Sequence, residues 1–90
     1  MPAQLKKISG KECVKILCNK FGFAAKRQKG SHVFLIRETS EGRDAGVVPL
    51  HSELKIGTLK GILELAHVKE EDFAAFQWAS FHKISVPLFS

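Results

Sequence analysis

The chain has 90 residues, enough for one small domain. Its composition is that of a folded globular protein, with 44% hydrophobic and 26% charged residues. It contains no apolar stretch near the roughly 20 residues that span a bilayer. No apolar segment of a signal peptide follows the first lysines. We therefore expect a cytoplasmic protein that does not enter a membrane.

The positive charge lies mostly in the first part of the chain. The net charge is +5, and residues 1–37 contain nine Lys or Arg against one acid, whereas residues 38–90 contain five against eight. A basic half beside an acidic half favours a surface that binds a polyanion. The alternative is that the lysines only keep the surface soluble, and charge alone does not decide between the two.

Residues 9–21 are predicted to form the first helix. Ser9 and Glu12 match a capping box, in which the hydroxyl accepts from a free N–H and the carboxylate bonds back to the cap. Gly22 suits a left-handed helix end. Four apolar residues recur at i, i+3, i+4 and i+7 and are expected to face the core: Val14, Leu17, Cys18 and Phe21.

The two cysteines, Cys13 and Cys18, are predicted to be free thiols that pack as small core residues. A spacing of five places them about 140° apart around a helix, which is poor geometry for a disulfide. The chain has no CxxC motif for zinc or redox chemistry. Free thiols fit a reducing compartment.

Three strands and two helices should follow. The strands are predicted over residues 23–28, 31–37 and 45–50. Lys29-Gly30 should make the first turn, residues 39–44 a polar hairpin loop, and Pro49 places the third strand at an edge. The helices are predicted over residues 57–67 and 69–79, the second opening on acids that suit its positive end.

This order predicts an α+β fold of the α-β-β-β-α type with a further C-terminal helix. A three-stranded antiparallel sheet would carry the helices on one face, the same order as in a double-stranded-RNA-binding domain. We expect one domain over residues 1–79 and a tail over residues 80–90.

Four segments together resemble the HicA toxins, the small ribonucleases of HicA–HicB toxin–antitoxin pairs. They are "SGKECVKIL", "GFAAKRQKGSH", "VVPLHSELKIGTLKGIL" and "VKEEDF". The resemblance implies a fold like that of double-stranded-RNA-binding domains, cleavage of mRNA by a histidine on the second strand, here His32, and a HicB-like protein antitoxin. The chain departs from the family in a longer second hairpin, an extra tail, and Ile56 where Pro often precedes Gly-Thr-Leu.

The residues around His32 suit RNA cleavage without a metal. RNA carries its own nucleophile, the 2′-hydroxyl, so that a general base and nearby cations suffice. Imidazole, with an ordinary pKa of about 6.5, is a natural base at neutral pH. Alternation along the strand leaves another hypothesis open, in which His32 is a half-buried sheet residue beside Phe34 and Ile36 with one nitrogen satisfied.

Several other residues are candidates for RNA contacts. They are Lys26, Arg27, Lys29, Gly30, Ser31, His51 and Lys55. His51 could equally be a plain loop histidine, and His67 is better explained as a cation at a helix end. No metal-ligand spacing and no cofactor motif is present.

The sequence therefore predicts a metal-independent endoribonuclease toxin that cleaves mRNA and blocks translation. The first rival hypothesis is a non-catalytic RNA-binding module, which shares the fold and the basic half. The second is an interaction protein that docks a partner through its sheet or its apolar tail.

Overall fold

The computed structural model describes residues 4–81, with side chains through residue 78. Its elements are, in chain order, α1 (Gly10–Phe21), β1 (Ala24–Lys29), β2 (His32–Thr39), β3 (Gly42–Pro49), α2 (Ile56–Leu65) and α3 (Glu70–Phe81). This order confirms the predicted α+β fold with an added helix. Over the described residues, none of the helices has both the length and the apolar character needed to cross a bilayer.

The sheet is antiparallel, with β2 between β1 and β3. β3 is therefore an edge strand, as Pro49 indicated. The predicted loop over residues 39–44 is wrong, because β2 and β3 stay paired to the Thr39–Gly42 step and only residues 40–41 turn. Two of its charged residues form cross-strand pairs instead, Asp44 with Arg37 and Arg43 with Glu38. The second hairpin is thus tight, with a turn of two residues.

The first helix has the predicted cap and the predicted last residue, and it begins at Gly10, one residue after the predicted start. Ser9 is the N-cap, and its hydroxyl accepts a hydrogen bond from the Glu12 N–H at 3.0 Å. Gly22 ends the helix with a φ of 77°, in the left-handed region. Gly10 starts α1 against the end of β3, where a Cβ would overlap the carbonyl oxygen of Pro49.

The buried stripe of α1 is rotated relative to the prediction. Its buried residues are Gly10, Cys13, Ile16 and Leu17. Three residues of the predicted stripe, Val14, Cys18 and Phe21, are only partly buried at its margin. The fully buried thiol is therefore that of Cys13, and both cysteines are free, as predicted.

The core lies between the helices and one face of the sheet. Val33, Leu35 and Val48 point into it from β2 and β3. The helices and loops supply the rest: Cys13, Ile16, Leu17, Phe23, Leu54, Leu59, Ile62, Leu63, Ala66, Val68 and Phe73. Because side chains alternate along a strand, the intervening residues of β2 lie on the opposite face of the sheet.

The N-terminal segment is tied to α3. The side chain of Gln77, only 3% exposed, accepts a hydrogen bond from the Lys6 N–H at 2.9 Å and donates one to the Lys6 carbonyl at 2.7 Å. The predicted domain boundary at residue 79 falls within α3. Residues 82–90 lie outside the described residues, so the division into domain and tail stays a prediction.

Candidate nucleic-acid interface

The face of the sheet turned away from the helices is called the outer face here. It consists of three rows, each made of one residue of β2 and the residues paired with it on β1 and β3. The rows are Lys29–His32–Pro49, Arg27–Phe34–Val47 and Ala24–Ile36–Ala45. Directly opposite residues in an antiparallel pair place their side chains on the same face, within about 5.5 Å of each other. The outer face therefore places a histidine, two cations and a patch of apolar side chains on one surface.

His32 is the first residue of the central strand. It pairs with Lys29 on one side and Pro49 on the other. The residue is exposed, and within the described part of the chain its imidazole has no hydrogen-bond or ion-pair partner. The half-buried hypothesis with a satisfied nitrogen is therefore wrong. The sheet therefore fixes the backbone of His32 on both sides, and its imidazole is exposed without a partner among the described residues.

The turn before His32 is held at both of its residues. Gly30 has a φ of 59°, which glycine adopts without strain, and its carbonyl accepts a hydrogen bond of 3.0 Å from the Gln28 side chain. The Ser31 carbonyl accepts one of 2.6 Å from the Leu50 N–H. The turn is thus anchored to the end of β3, which fixes where β2 begins.

The three basic residues of β1 do not share one position. Lys29 faces His32 across the strands, and Arg27 lies in the next row, with its guanidinium carbon 5.1 Å from the centre of the Phe34 ring. Lys26 sits at a β-bulge, where the register with β2 shifts between Ala25 and Arg27. All three are exposed. The structure therefore brings Lys29 and Arg27 onto the face of His32.

His51 and Lys55 are exposed and lie beyond β3. The carbonyl of His51 accepts a hydrogen bond of 2.9 Å from the Gly10 N–H, so the start of α1 fixes its backbone. Lys55 is the N-cap of α2 and makes no side-chain capping bond. No contact joins either side chain to His32 among the described residues.

A cluster that the sequence did not predict lies at the other end of the sheet. The Asp44 carboxylate binds Arg37 at 2.7 Å and His67 Nδ1 at 2.7 Å. The hydrogen bond from His67, then that from Arg37, holds the pKa of Asp44 below its ordinary value, against a smaller opposing effect of burial. His67 directly follows the C-cap of α2 and has a φ of 59°, in the left-handed region. The N–H groups of His67 and Val68 donate to the carbonyls of Glu64 and Leu63, which closes the helix end. The helix-end position predicted for His67 is therefore confirmed, and its contact with Asp44 is an addition.

This cluster is separate from the outer face, because Arg37 and Asp44 point to the helices. Arg37 also donates to the Phe21 carbonyl at 3.1 Å and lies over the Phe23 ring. Alternation from Val33 and Leu35 would have placed Arg37 on the core face. Its partner Asp44 was not predicted, because residues 39–44 were expected to form a loop rather than paired strands. Among the described residues, this cluster included, no three His, Cys, Asp or Glu residues stand close enough to hold a metal ion.

Comparison with known protein families gives a match. A sequence model for the HicA toxin of bacterial toxin–antitoxin systems matches residues 10–68, about two thirds of the chain. The matched range runs from the start of α1 to the residues before α3 and includes the whole sheet. The searches of curated proteins and of solved structures return no significant match.

Proposed function

Because the chain belongs to the HicA toxin family of bacterial toxin–antitoxin systems, we propose that it is a metal-independent endoribonuclease that cleaves mRNA and thereby blocks translation. His32 is the residue on which this rests, since its imidazole is exposed on the central strand, has no partner among the described side chains, and stands opposite Lys29. A free imidazole beside a cation is what the removal of a hydroxyl proton next to a phosphate requires.

In the proposed reaction the RNA 2′-hydroxyl attacks the adjacent phosphorus. His32 takes the hydroxyl proton as the 2′-oxygen–phosphorus bond forms, and the bond from phosphorus to the 5′-oxygen breaks. The leaving oxygen takes a proton from water. The products are a 2′,3′-cyclic phosphate and a 5′-hydroxyl. Charge that develops on the phosphate oxygens is stabilised by the Lys29 ammonium; the pairing of Lys29 with His32 across the strands supports this role.

The RNA backbone would lie along the basic turn. Lys29 and Arg27 carry their charges on the face of His32, and Lys26 extends the positive edge at the bulge. Gly30 leaves open space where a side chain would otherwise stand, so a phosphate can approach the backbone and the Ser31 hydroxyl. His51 and Lys55, both exposed just beyond β3, are proposed as contacts for the more distant nucleotides.

The family also supports a partner. Members belong to toxin–antitoxin systems, and we assign to this chain a HicB-like antitoxin that covers His32 in the cytoplasm. Such a protein would need acidic groups opposite Lys29 and Arg27. This charge pattern is one that a search of neighbouring genes can check.

The deciding experiment compares purified wild type with His32→Ala and the matched variant His51→Ala on a 5′-labelled RNA. Loss of a general base should lower the cleavage rate by roughly 10²- to 10⁴-fold. We expect that loss in His32→Ala alone, with RNA affinity retained. Fragments of the wild-type reaction should end in a cyclic phosphate, and their partners should accept phosphate from a kinase directly.

Other outcomes distinguish the rivals. If folded His32→Ala cleaves at the wild-type rate, His32 is not the base, and a loss in His51→Ala would transfer that role. If wild type binds RNA with salt-dependent affinity and never cleaves it, the chain is a non-catalytic RNA-binding module. If it neither binds nor cleaves RNA, the hypothesis of a protein-docking domain stands.

A further inference from the structure

The outer face continues beyond His32 as an aromatic and apolar surface. Phe34 is two residues further along β2, half-buried, between Arg27 on one side and Val47 on the other. We infer that the Phe34 ring stacks one unpaired base of a single-stranded RNA, with Arg27 turned to the adjoining phosphate. This inference rests on the proposed function, since it concerns the nucleotide next to the phosphate that His32 and Lys29 would engage.

The spacing between the two rows fits one nucleotide. A strand rises about 3.3 Å per residue, so the Phe34 row lies about 7 Å from the His32 row on the same face. Successive nucleotides of an extended single strand advance by a comparable step. With the reacting phosphate between His32 and Lys29, the neighbouring base therefore reaches the Phe34 ring without any rearrangement of the sheet.

The contact between Arg27 and Phe34 indicates what the ring accepts. The guanidinium is a flat cation and lies 5.1 Å from the ring centre. The ring therefore accepts a planar group on its face. Arg27 is exposed and belongs to an edge strand. It can turn to the phosphate of the incoming nucleotide while the base takes its place over Phe34. Unpaired RNA bases stack on aromatic rings and on Arg planes in this way.

The charge around the ring favours RNA as the occupant. Two cations, Arg27 and Lys29, border the half-buried apolar residues Phe34, Ile36 and Val47. A polyanion with flat apolar bases matches both features at once. A base within a duplex is already stacked and paired, so this site selects single strands. Stacking is tolerant of base identity, which predicts weak sequence preference at this position.

The test uses the His32→Ala background, in which RNA can be bound without being cut. Fluorescence anisotropy would measure the affinity of Phe34→Leu and Phe34→Trp for three labelled probes: a single-stranded RNA, the same strand with abasic ribose positions, and a duplex. Loss of one stacked base should weaken single-strand binding by roughly five- to hundredfold. We expect this loss in Phe34→Leu, near wild-type binding in Phe34→Trp, and no effect of either change on the abasic strand or the duplex.

Phe76→Leu is the matched control. Phe76 is a partly buried ring on α3 that packs against Phe21, so its loss costs packing without touching the outer face. Equal losses in Phe34→Leu and Phe76→Leu would mean that stability alone is responsible and would overturn the stacking site. Unchanged RNA affinity in Phe34→Leu would also overturn it. If Phe34→Leu changed the oligomeric state and left the RNA affinity unchanged, the outer face would be a protein interface.

The two proposals fail separately. Cleavage by wild type with no dependence of RNA affinity on Phe34 would leave the ribonuclease and remove the stacking site. A Phe34-dependent affinity for single strands in a protein that never cleaves would leave the stacking site and remove the ribonuclease. A wild type that binds no RNA would remove both.

Discussion

Arg37 and Asp44 lie opposite each other on β2 and β3, and the Arg37 guanidinium donates two hydrogen bonds, of 3.1 and 2.7 Å, to one carboxylate oxygen of Asp44. The other carboxylate oxygen accepts the hydrogen bond from His67. Through the Phe21 carbonyl, Arg37 also holds the end of α1. One charged pair therefore joins the tip of the second hairpin, the first helix and the segment after α2.

Replacement of Asp44 by Asn should lower the melting temperature at neutral pH, because Arg37 loses its counter-charge. The native state depresses the pKa of Asp44 below its ordinary 3.8. The contribution of this carboxylate is therefore complete above that value and is lost as the pH falls through the depressed pKa. Thermal melts of both proteins from pH 7 to pH 2 should converge at the acid end. Glu38 forms an exposed ion pair with Arg43 and is the control. Glu38→Gln should change the melting temperature little at any pH.

The two thiols should differ in reactivity and in stability. Burial raises the pKa of the Cys13 thiol to about 12 and raises that of Cys18 less, since Cys18 lies at the edge of the core. Native protein at pH 8 should therefore label first at Cys18. Cys13→Ser should cost on the order of 1–3 kcal/mol in unfolding free energy, because it buries a hydroxyl, and Cys18→Ser should cost less. Faster labelling of Cys13 than of Cys18 would contradict the placement of α1.

Gly10 should not tolerate a side chain. A Cβ there meets the backbone of Pro49 and Leu50, so Gly10→Ala should destabilise by about 1–3 kcal/mol through overpacking. Gly61, in the middle of α2, has open space around its added Cβ, and Gly61→Ala should stabilise by roughly 0.5–1 kcal/mol. Urea unfolding measures both. Equal effects of the two changes would mean that α1 does not start against β3 as described.

Lys29 should hold phosphate without selecting sequence. Lys29→Ala should weaken binding of all single-stranded RNAs alike and reduce the slope of log affinity against log salt by roughly 0.7. Lys60, exposed on α2 in a groove that it shares with Lys69 and Glu70, is the matched control and should leave the slope unchanged. A slope equally reduced in both variants would indicate diffuse attraction by net charge rather than a site at Lys29.

Cleavage should survive removal of metal ions. The proposed chemistry uses an imidazole base and an ammonium cation, so EDTA should leave the initial rate of wild-type cleavage unchanged. A nuclease known to require Mg²⁺, assayed in the same tubes, verifies that chelation is complete. A rate that falls in EDTA and returns only with added divalent ion would require a metal in the mechanism.

Local signals in the sequence were sufficient for much of the fold. Ser9 and Gly22 act within one helical turn, so the bounds of α1 could be predicted from a few neighbours. The loop error over residues 39–44 had a different origin, because the charges there are satisfied across the strands. The rotation of α1 likewise depends on the packing of Gly10 against Pro49, which no helical periodicity reveals.

The candidate site, too, could be predicted only in part from the sequence. His32 and the basic turn are adjacent in sequence, so the order of residues along the chain is enough to identify them. Their common face could not be predicted, since the bulge at Lys26 decides which side of β1 carries Arg27. Phe34 was expected to share the face of His32, and its contact with Arg27 depends on that shift in register.

The bond between Lys6 and Gln77 has a consequence for synthesis of the protein. Its partners are 71 positions apart, so the segment before α1 cannot make this contact until Gln77 has left the ribosome. Closure of so long a loop costs conformational entropy, so the contact forms slowly and becomes favourable only once the residues between its partners are ordered. The sheet that carries His32 can form earlier, and the last step of folding is then the docking of α3 over the segment at residues 4–8.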